Sequence, residues 1–290
     1  MKLNSIIGIS RGDEFSPNHV DNDAAIYNKV VQCLQQLSYR VECFTEKEFV
    51  AKHISADVIF DMARDRKTIN RLKELEKQGS LVINSAFGID NCVRKAMTEQ
   101  LIKNGIPHPK SSIISTDPTS IDSWIKQWTG NAVWIKRGDS HAMVKQDVCY
   151  VDSPENAYRV LKDFNERSIP TAVINEHLKG DLIKFYGIQD SSFFYWFYPA
   201  PCSHSKFGLE IINGEPEGFP FSEEALITYC KQASCTLNVP IYGGDCIVNE
   251  KGDIQIIDFN DWPSFARCRE EAGESIAVYI DKCVRHKINK

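Results

Sequence analysis

The sequence has no long hydrophobic run, no paired cysteine motif and no excess of positive charge. No apolar run approaches the ~20 residues of a membrane-spanning helix, and the apolar part of MKLNSIIGISRGDE is too short to predict a signal peptide. None of the ten cysteines is spaced as CxxC, which favours reduced thiols in a cytoplasmic protein over disulfides or a zinc site. The net charge of −5 argues against nucleic acid as a partner.

The length of 290 residues is enough for roughly two domains. In the first third, apolar strands alternate with helices. The strands are predicted at 3–9, 39–44, 57–63 and 80–84, with helices between them. This alternation predicts a parallel sheet covered on both faces. Because ligands bind at the carboxyl ends of such strands, Ser10, Arg11 and Arg64 are candidate lining residues, although each arginine could equally be a surface residue.

A hairpin near the C-terminus, IYGGDCIVNEKGDIQIIDFNDWP, carries the most informative polar pattern. If its turn is centred between Lys251 and Gly252, Asp245 lies opposite Asp258, and Asn260 leaves the same face two residues later. Such a cluster of oxygen ligands suits Mg²⁺. The alternative is a solvated strand face, but carboxylates within apolar runs are costly unless they are paired. The hairpin therefore predicts a magnesium site.

The position of Lys136 in the sequence is compatible with two interpretations. Lys136 ends the apolar run AVWI, where a lysine is either an edge-strand gatekeeper or a point charge placed over a polyphosphate. The chain has no P-loop pattern, so any phosphate handling rests on lysines and metal.

Four stretches in order resemble the ATP-grasp family. They are RKAMTEQLIKNGIPHP, VWIKRGD, INEHLKGD and the hairpin with its spacing of Asp245, Asp258, Asn260 and Pro263. Similar hairpins occur in D-alanine–D-alanine ligases, glutathione-synthetase-like enzymes and inositol trisphosphate 5/6-kinases. The resemblance extends from about residue 84 to residue 264. It implies a mixed α/β (α+β) ATP-grasp fold, with a nucleotide held between two α+β subdomains.

The resemblance also implies a division of the chain and a set of roles. The expected segments are an N-terminal parallel-sheet domain, a central subdomain with a lid at 137–146, and a C-terminal subdomain with the metal site (1–89, 90–175 and 176–290). The implied cofactors are ATP and one or two Mg²⁺ ions, with Mn²⁺ as a substitute. The implied ligands are Lys95 and Lys136 for phosphates, Glu176 with the backbone of His177 and Leu178 for adenine, Asp181 for ribose, and Asp245, Asp258 and Asn260 for metal.

Three residues are expected to act on the reacting groups: Lys184 near the transferred phosphoryl group, Arg267 on the acceptor side, and His141 in the lid. The segment DSHAMV resembles the S-H-E-M stretch of inositol phosphate kinases, which makes His141 a candidate phosphate contact. A lone loop histidine is otherwise an exposed bystander. Two departures bear on the substrate: D-alanine–D-alanine ligases have an arginine where Gly243 stands, and a small-Pro-Gly pattern where this chain has Asp261 to Ser264.

Three functions remain open at this stage. They are a carboxylate–amine (or thiol) ligase working through an acyl phosphate, an inositol-phosphate-type kinase, and a nucleotide-binding protein without catalysis. A kinase for a highly phosphorylated sugar needs many basic residues on its acceptor side. The candidates Arg11, Arg64, Lys206 and Arg267 are few and mixed with acids, which favours the ligase. The expected partners are small-molecule or peptide substrates, with a homodimer also possible.

Overall fold

The computed structural model describes residues 5–16, 19–199 and 212–289. Within these ranges the helices are α1 (Val20–Gln36), α2 (Glu46–Ala51), α3 (Arg66–Lys77), α4 (Ala86–Asn91), α5 (Arg94–Lys103), α6 (Pro118–Ile125), α7 (Pro154–Glu166), α8 (Glu223–Leu237) and α9 (Arg269–Ile288). The strands are β1 (Ser5–Ser10), β2 (Arg40–Thr45), β3 (Val58–Asp61), β4 (Leu81–Ile83), β5 (Ser111–Ser115), β6 (Val133–Arg137), β7 (Val148–Val151), β8 (Thr171–Glu176), β9 (Asp181–Ile188), β10 (Phe194–Phe197), β11 (Ile241–Val248) and β12 (Ile254–Asp261).

The N-terminal sheet is parallel, as the alternating pattern predicted, and its strand order is β2-β1-β3-β4. Its central strand β1 is buried on both faces. Ile6 packs into one hydrophobic core, while Ile7 and Ile9 pack into another. The carboxyl ends of β1, β2 and β3 lie side by side and bring Ser10, Thr45 and Asp61 to one edge of the sheet.

The other two sheets are antiparallel, with strand orders β5-β8-β6-β7 and β10-β9-β11-β12. Helix α7 covers the first of them, and its Leu161 and Phe164 pack against Ile135 and Ile174. Together with the parallel sheet, they give the mixed α/β architecture that the sequence predicted. Among the described residues, no helix is long and apolar enough to cross a membrane, and the nine cysteines are free.

The cores cross the boundaries that the resemblance suggested. Trp262 and Phe265, which follow β12, share a core with Phe60 of β3. Helix α9 lies against α1, and α5 contributes Met97 and Leu101 to the core of the C-terminal sheet. Each of the three segments contains one sheet, but the limits 1–89, 90–175 and 176–290 remain a prediction.

Two local features were not predicted. The short helix α4 begins after Ser85, whose hydroxyl accepts a hydrogen bond from the Phe87 backbone N–H at 3.3 Å. The buried side chain of Asn84 donates to the Ile241 carbonyl at 2.8 Å and accepts from the Ile241 N–H at 2.9 Å. This pair of bonds attaches the end of the parallel sheet to the first residue of β11.

Candidate active site

A cavity of about 690 Å³ lies where the three sheets meet. That volume is within the range of small-molecule sites. The register of β9 against β11 orders its floor, with Leu182 opposite Ile247, then Lys184 opposite Asp245. Asn175, Glu176 and Leu178 line one part of the cavity, and residues that follow β1 and β3 line another, including Arg11, Phe15, Arg64 and Arg66.

The metal-site hairpin has the predicted pairing at its polar end. Asp245 lies opposite Asp258, and Gly243 lies opposite Asn260. Nearer the turn the predicted register is wrong, because Cys246 pairs with Ile256 and leaves Ile257 as a bulge. A bulge leaves a residue outside the regular ladder of hydrogen bonds. The bulge is therefore what restores the pairing of the two carboxylates.

The bulge also supplies an acceptor to the cavity. The Ile257 carbonyl accepts hydrogen bonds from Lys136 Nζ at 3.3 Å and from an Arg94 guanidinium nitrogen at 3.5 Å. Arg94 further binds both carboxylate oxygens of Asp258, at 3.1 and 3.3 Å. Lys184 Nζ lies 3.1 and 3.3 Å from the two carboxylate oxygens of Asp245. Arg94 and Lys184 therefore bind the two carboxylates on the cavity floor, and Lys136 binds the bulged carbonyl beside them.

The pKa values of Asp258 and Lys136 are both lowered, which favours the charged form of the carboxyl group and the neutral form of the amine. Burial alone would raise the pKa of Asp258, but Arg94 and Lys136 hold that pKa below its usual value. Burial, reinforced by Arg94, lowers the pKa of Lys136 to about 7, although Asp258 and Asp245 act against this. Asp258 is thus kept ionised, while Lys136 is poised to gain charge when an anion approaches.

The donor set of the hairpin fits a hard divalent cation. Asp245 and Asp258 offer carboxylate oxygens on one strand face, and Asn260 adds an amide on the same face. The Asn260 side chain also donates a hydrogen bond to Asp258. Among the described residues, no three His, Cys, Asp or Glu side chains converge. A metal here would therefore depend on two carboxylates and an amide, and would share them with Arg94 and Lys184.

Lys95, the first predicted phosphate contact, lies outside the cavity, and its neighbour Arg94 lines the cavity instead. Lys95 is exposed and outside the lining, whereas Arg94 lines the cavity and binds Asp258. Consecutive residues of a helix point about 100° apart, so a shift of one position decides which side chain faces the site. Lys136, the second predicted contact, lines the cavity as expected.

The predicted adenine and ribose contacts are only partly brought together. Glu176 and Leu178 line the cavity, but His177 does not. The His177 N–H donates to the Ala132 carbonyl at 3.0 Å, and its Nδ1 accepts from Trp134 Nε1 at 3.1 Å. His177 therefore joins two neighbouring segments instead of facing the cavity.

Asp181, expected at the ribose, has a different task in the structure. It is buried outside the cavity lining, and its carboxylate accepts three backbone hydrogen bonds, at 2.7 Å from Glu217, 2.8 Å from Gly218 and 2.8 Å from Phe219. Three such donors use most of the roughly four acceptor sites of a carboxylate. Asp181 therefore fixes the loop before α8.

The residues expected on the acceptor side are also only partly brought together in the cavity. Arg267 is exposed, lies outside the cavity lining, and stacks over the Phe197 ring at 4.3 Å. Ser10 lines only a small adjoining pocket. Lys206 lies outside the described residues. Among the members of this group that the structure describes, Arg11 and Arg64 are the two that reach the main cavity.

Arg11 and Arg64 hold the segment that follows Asn260. Arg64 forms an ion pair with the buried carboxylate of Asp261, and its second nitrogen reaches the Asp261 carbonyl at 3.3 Å. Arg11 donates to the Trp262 carbonyl at 2.9 Å, to Asp23 at 2.9 Å and to the Met62 carbonyl at 3.2 Å. Both guanidinium groups are therefore occupied by protein acceptors.

Arg66 is a lining cation that sequence reasoning missed. Its side chain is 55% exposed, compared with 9% for Arg11, 12% for Arg64 and 13% for Arg94. It forms an ion pair with Asp90 at 2.6 Å. The sequence signal for it was its place two residues after Arg64, at the start of α3.

Residues 140–143 of the predicted lid segment line the cavity, and the segment is held at its far end by Asp147. Buried Asp147 accepts from the Met143 N–H at 2.7 Å and from the Val144 N–H at 3.1 Å, and it forms an ion pair with Arg167. His141 lines the cavity, and its Nε2 is buried without a partner among the described residues. Burial, reinforced by Arg64, lowers the pKa of His141 to about 3. His141 is therefore a half-buried neutral imidazole, in contrast to an exposed bystander.

Gly243 stands at a position where the structure admits no side chain. A Cβ atom there would lie 2.8 Å from Pro263 Cγ and 2.8 Å from Tyr186 Cδ1. Pro263 and Tyr186 both line the cavity. The space that a larger residue would need at position 243 is thus filled by the rings of Tyr186 and Pro263.

Known structures share this arrangement of sheets. No family model matches the sequence, and no curated protein matches it. D-Alanyl-alanine synthetase A from Vibrio cholerae O1 biovar eltor superposes with a TM-score of 0.70 at 12% identity, covering 100% of both chains. D-Alanine–D-alanine ligase from Bacillus anthracis gives 0.67 at 14% identity, covering 98% of both chains.

A structure solved with a bound peptide is similar to a comparable degree. The ATP-grasp ligase PsnB, solved with its precursor peptide PsnA2 and AMPPNP, gives a TM-score of 0.63 at 13% identity, covering 98% of both chains. The identities are low, but the coverage is almost complete in each comparison. The sheet order, the cavity between the sheets and these superpositions agree, and the chain has the ATP-grasp fold.

Proposed function

We propose that the protein is an ATP- and Mg²⁺-dependent ligase that joins a carboxylate to an amine, or to a thiol, through an acyl phosphate. The observation that carries the proposal is the cavity floor, where Asp245 and Asp258 face Arg94, Lys136 and Lys184. Phosphoryl transfer needs positioning and charge neutralisation more than covalent help from the protein. The named functions of the structural relatives support the same class of reaction.

In this proposal the nucleotide runs along the floor of the cavity. The adenine lies near Glu176 and Leu178, and the phosphates lie over Arg94 and Lys136. Asp245, Asp258 and Asn260 hold Mg²⁺, which when bound neutralises the phosphate oxygens. Since burial leaves Lys136 with a pKa of about 7, the nearby phosphates favour its charged form.

The chain's own residues then complete the site. Lys184 lies at the level of Asp245, on the strand next to it, where it contacts the transferred phosphoryl group. His141 enters from the lid as a neutral imidazole and donates or accepts a hydrogen bond there. A lid anchored by Asp147 excludes water, which would otherwise hydrolyse the acyl phosphate.

The acceptor end disfavours the kinase alternative. A polyphosphorylated sugar needs several cations that are available to its phosphates. Here Arg11 is occupied by Asp23 and Trp262, and Arg64 is occupied by Asp261. A single carboxylate and an amine need fewer free cations than a polyphosphorylated sugar does. The ligase is therefore the better fit to this part of the cavity.

A two-substrate screen tests the proposal. The protein is incubated with Mg·ATP and with pools of carboxylic acids and amines, separately and together, and ADP and inorganic phosphate are measured. A ligase releases both only when an acid and an amine are present, and mass analysis identifies the joined product. Release of ADP alone with a polyol phosphate, together with a stable phosphoester, would overturn the ligase in favour of the kinase.

A further inference from the structure

Glu46 is a buried carboxylate at the first turn of α2, beyond the carboxyl end of β2. One of its oxygens accepts from the Gly12 N–H at 2.9 Å. The other accepts from the Arg64 N–H at 3.0 Å and from the Asp65 N–H at 2.7 Å. A single side chain therefore holds the loop after β1 and the loop after β3 at the same time.

Glu46 lies there without an ion-pair partner in the described part of the chain. Its side chain is almost fully buried, and the ion pairs of the neighbouring arginines go to Asp23 and Asp261 instead. Burial raises the pKa of Glu46, and its three backbone hydrogen bonds oppose that shift. Burying a carboxylate without a cation is costly. Because this burial costs stability, the contribution of Glu46 lies in the two loops that its three hydrogen bonds hold together.

The two loops that Glu46 joins carry the arginines of the cavity wall. Arg11 directly precedes Gly12, and the Arg64 backbone is itself one of the three donors. Their side chains then bind the Trp262 carbonyl and the Asp261 carboxylate. This gives a continuous set of contacts from Glu46 to the residues that follow Asn260.

We propose that Glu46 is a positioning residue that sets the acceptor end of the cavity by fixing both loops against the Asp261–Trp262 segment. The proposal rests on the ligase function above. It separates the two ends of the site: Glu46 governs the wall that an amine acceptor meets and has no contact with the nucleotide-binding floor. Arg66, which follows Asp65 as the first residue of α3, takes its position from the same contacts.

The test compares Glu46→Gln with Glu48→Gln. Glutamine keeps the size of Glu46 but points an NH₂ group at one of the backbone N–H donors, so at least one hydrogen bond is lost. Glu48 is exposed on the same helix and caps it with Thr45, a role that glutamine also fills. Three quantities are measured on each protein: amide hydrogen exchange at Gly12, Arg64 and Asp65, the Kd of a non-hydrolysable ATP analogue, and KM and kcat for the amine that the two-substrate screen identifies.

In Glu46→Gln we expect amide exchange at the three positions to become about tenfold faster and the acceptor KM to rise about tenfold, from the loss of a hydrogen bond to a charged group. The nucleotide Kd and kcat should stay within about twofold of the wild type, and Glu48→Gln should match the wild type throughout. An unchanged acceptor KM, or a nucleotide Kd that rises as much as the KM, would overturn the positioning role. Wild-type protein that releases no ADP with any acid and amine would instead overturn the ligase function itself.

Discussion

Arg94 and Asp258 face each other across the cavity floor, with two guanidinium nitrogens 3.1 and 3.3 Å from the two carboxylate oxygens. This two-point contact ties the start of α5 to the strand that carries the proposed metal ligands. It also holds the pKa of Asp258 below its usual value against the effect of burial. The pair therefore links the proposed phosphate and metal functions of the floor.

Arg94 and Lys95 form a matched pair for testing this relationship. We expect Arg94→Ala to weaken binding of an ATP analogue about tenfold or more, because a charge-assisted contact to phosphate and the partner of Asp258 are both lost. Lys95→Ala should leave binding unchanged, since Lys95 is exposed and lies outside the cavity. Calorimetric titration of both variants decides the matter. Stronger weakening by Lys95→Ala would return the phosphate contact to the position that the sequence suggested.

Asp258→Asn tests the metal assignment. The amide fills the same space but removes the charge, so Mg²⁺-dependent turnover should fall by about a hundredfold or more. The fold should persist, as judged by circular dichroism and Tm. Glu250→Gln, on the exposed turn of the same hairpin, is the control and should be fully active. An Asp258→Asn protein with near wild-type turnover would exclude Asp258 as a metal ligand.

Lys136 gives the nucleotide affinity a pH dependence. Its pKa is lowered from 10.5 to about 7 in the free protein, so the ammonium loses its proton as the pH rises above that value. Phosphates raise the pKa again, and binding above pH 7 therefore takes up a proton. Affinity should fall as the pH rises from about 7, by at most tenfold per pH unit.

Titration of the ATP analogue in buffers of different ionisation enthalpy measures this proton uptake. Lys136→Ala should weaken binding and abolish the uptake. Proton uptake that persists in Lys136→Ala would assign it to another group. If the nucleotide affinity of Lys136→Ala equals that of the wild type, Lys136 does not contact phosphate and its role is that of an edge-strand gatekeeper.

Gly243 offers a test of the packing at the acceptor side. Gly243→Ala places a Cβ 2.8 Å from Pro263 and 2.8 Å from Tyr186, so we expect the free energy of unfolding to fall by about 1–3 kcal/mol. Urea unfolding of Gly243→Ala beside the wild type measures this loss. A variant as stable as the wild type would show that Pro263 and Tyr186 yield readily.

Arg66 tests whether the exposed cation at the rim of the cavity contacts the acceptor. We expect Arg66→Ala to raise the KM of an anionic acceptor several-fold, in line with a partly exposed ion pair, and to leave the nucleotide Kd unchanged. Arg71→Ala removes an arginine of the same helix that lies outside the cavity lining and serves as the control. An equal effect of both variants would reduce Arg66 to a general contribution of surface charge.

Patterns with a clear period were readable from the sequence. The alternation of strands and helices gave the parallel sheet, and the two-residue period of β12 placed Asp258 and Asn260 on one face. The pairing of Asp245 with Asp258 was also right, but the sequence offered no sign of the bulge at Ile257 on which it depends.

Roles that depend on long-range contacts could not be read in this way. In the sequence, nothing distinguishes Asp181 from other acidic residues at the start of a strand. Only the fold shows that the loop before α8 supplies three N–H donors to its carboxylate. The choice between Arg94 and Lys95 depends on the rotation of α5 about its axis, which is set by packing against distant strands. Arg11 and Arg64 were placed correctly at strand ends, but their partners Asp23 and Asp261 are known only from the fold.

The most direct test of the ligase is the fate of an oxygen atom. When the carboxylate substrate carries ¹⁸O, an acyl phosphate forms as its oxygen attacks the γ-phosphorus and ADP leaves. The amine then attacks the acyl carbon and expels phosphate. One ¹⁸O atom should therefore appear in the inorganic phosphate for each product molecule formed, as measured by mass spectrometry. Phosphate without ¹⁸O, or a phosphoester product with no phosphate released, would contradict the proposed function.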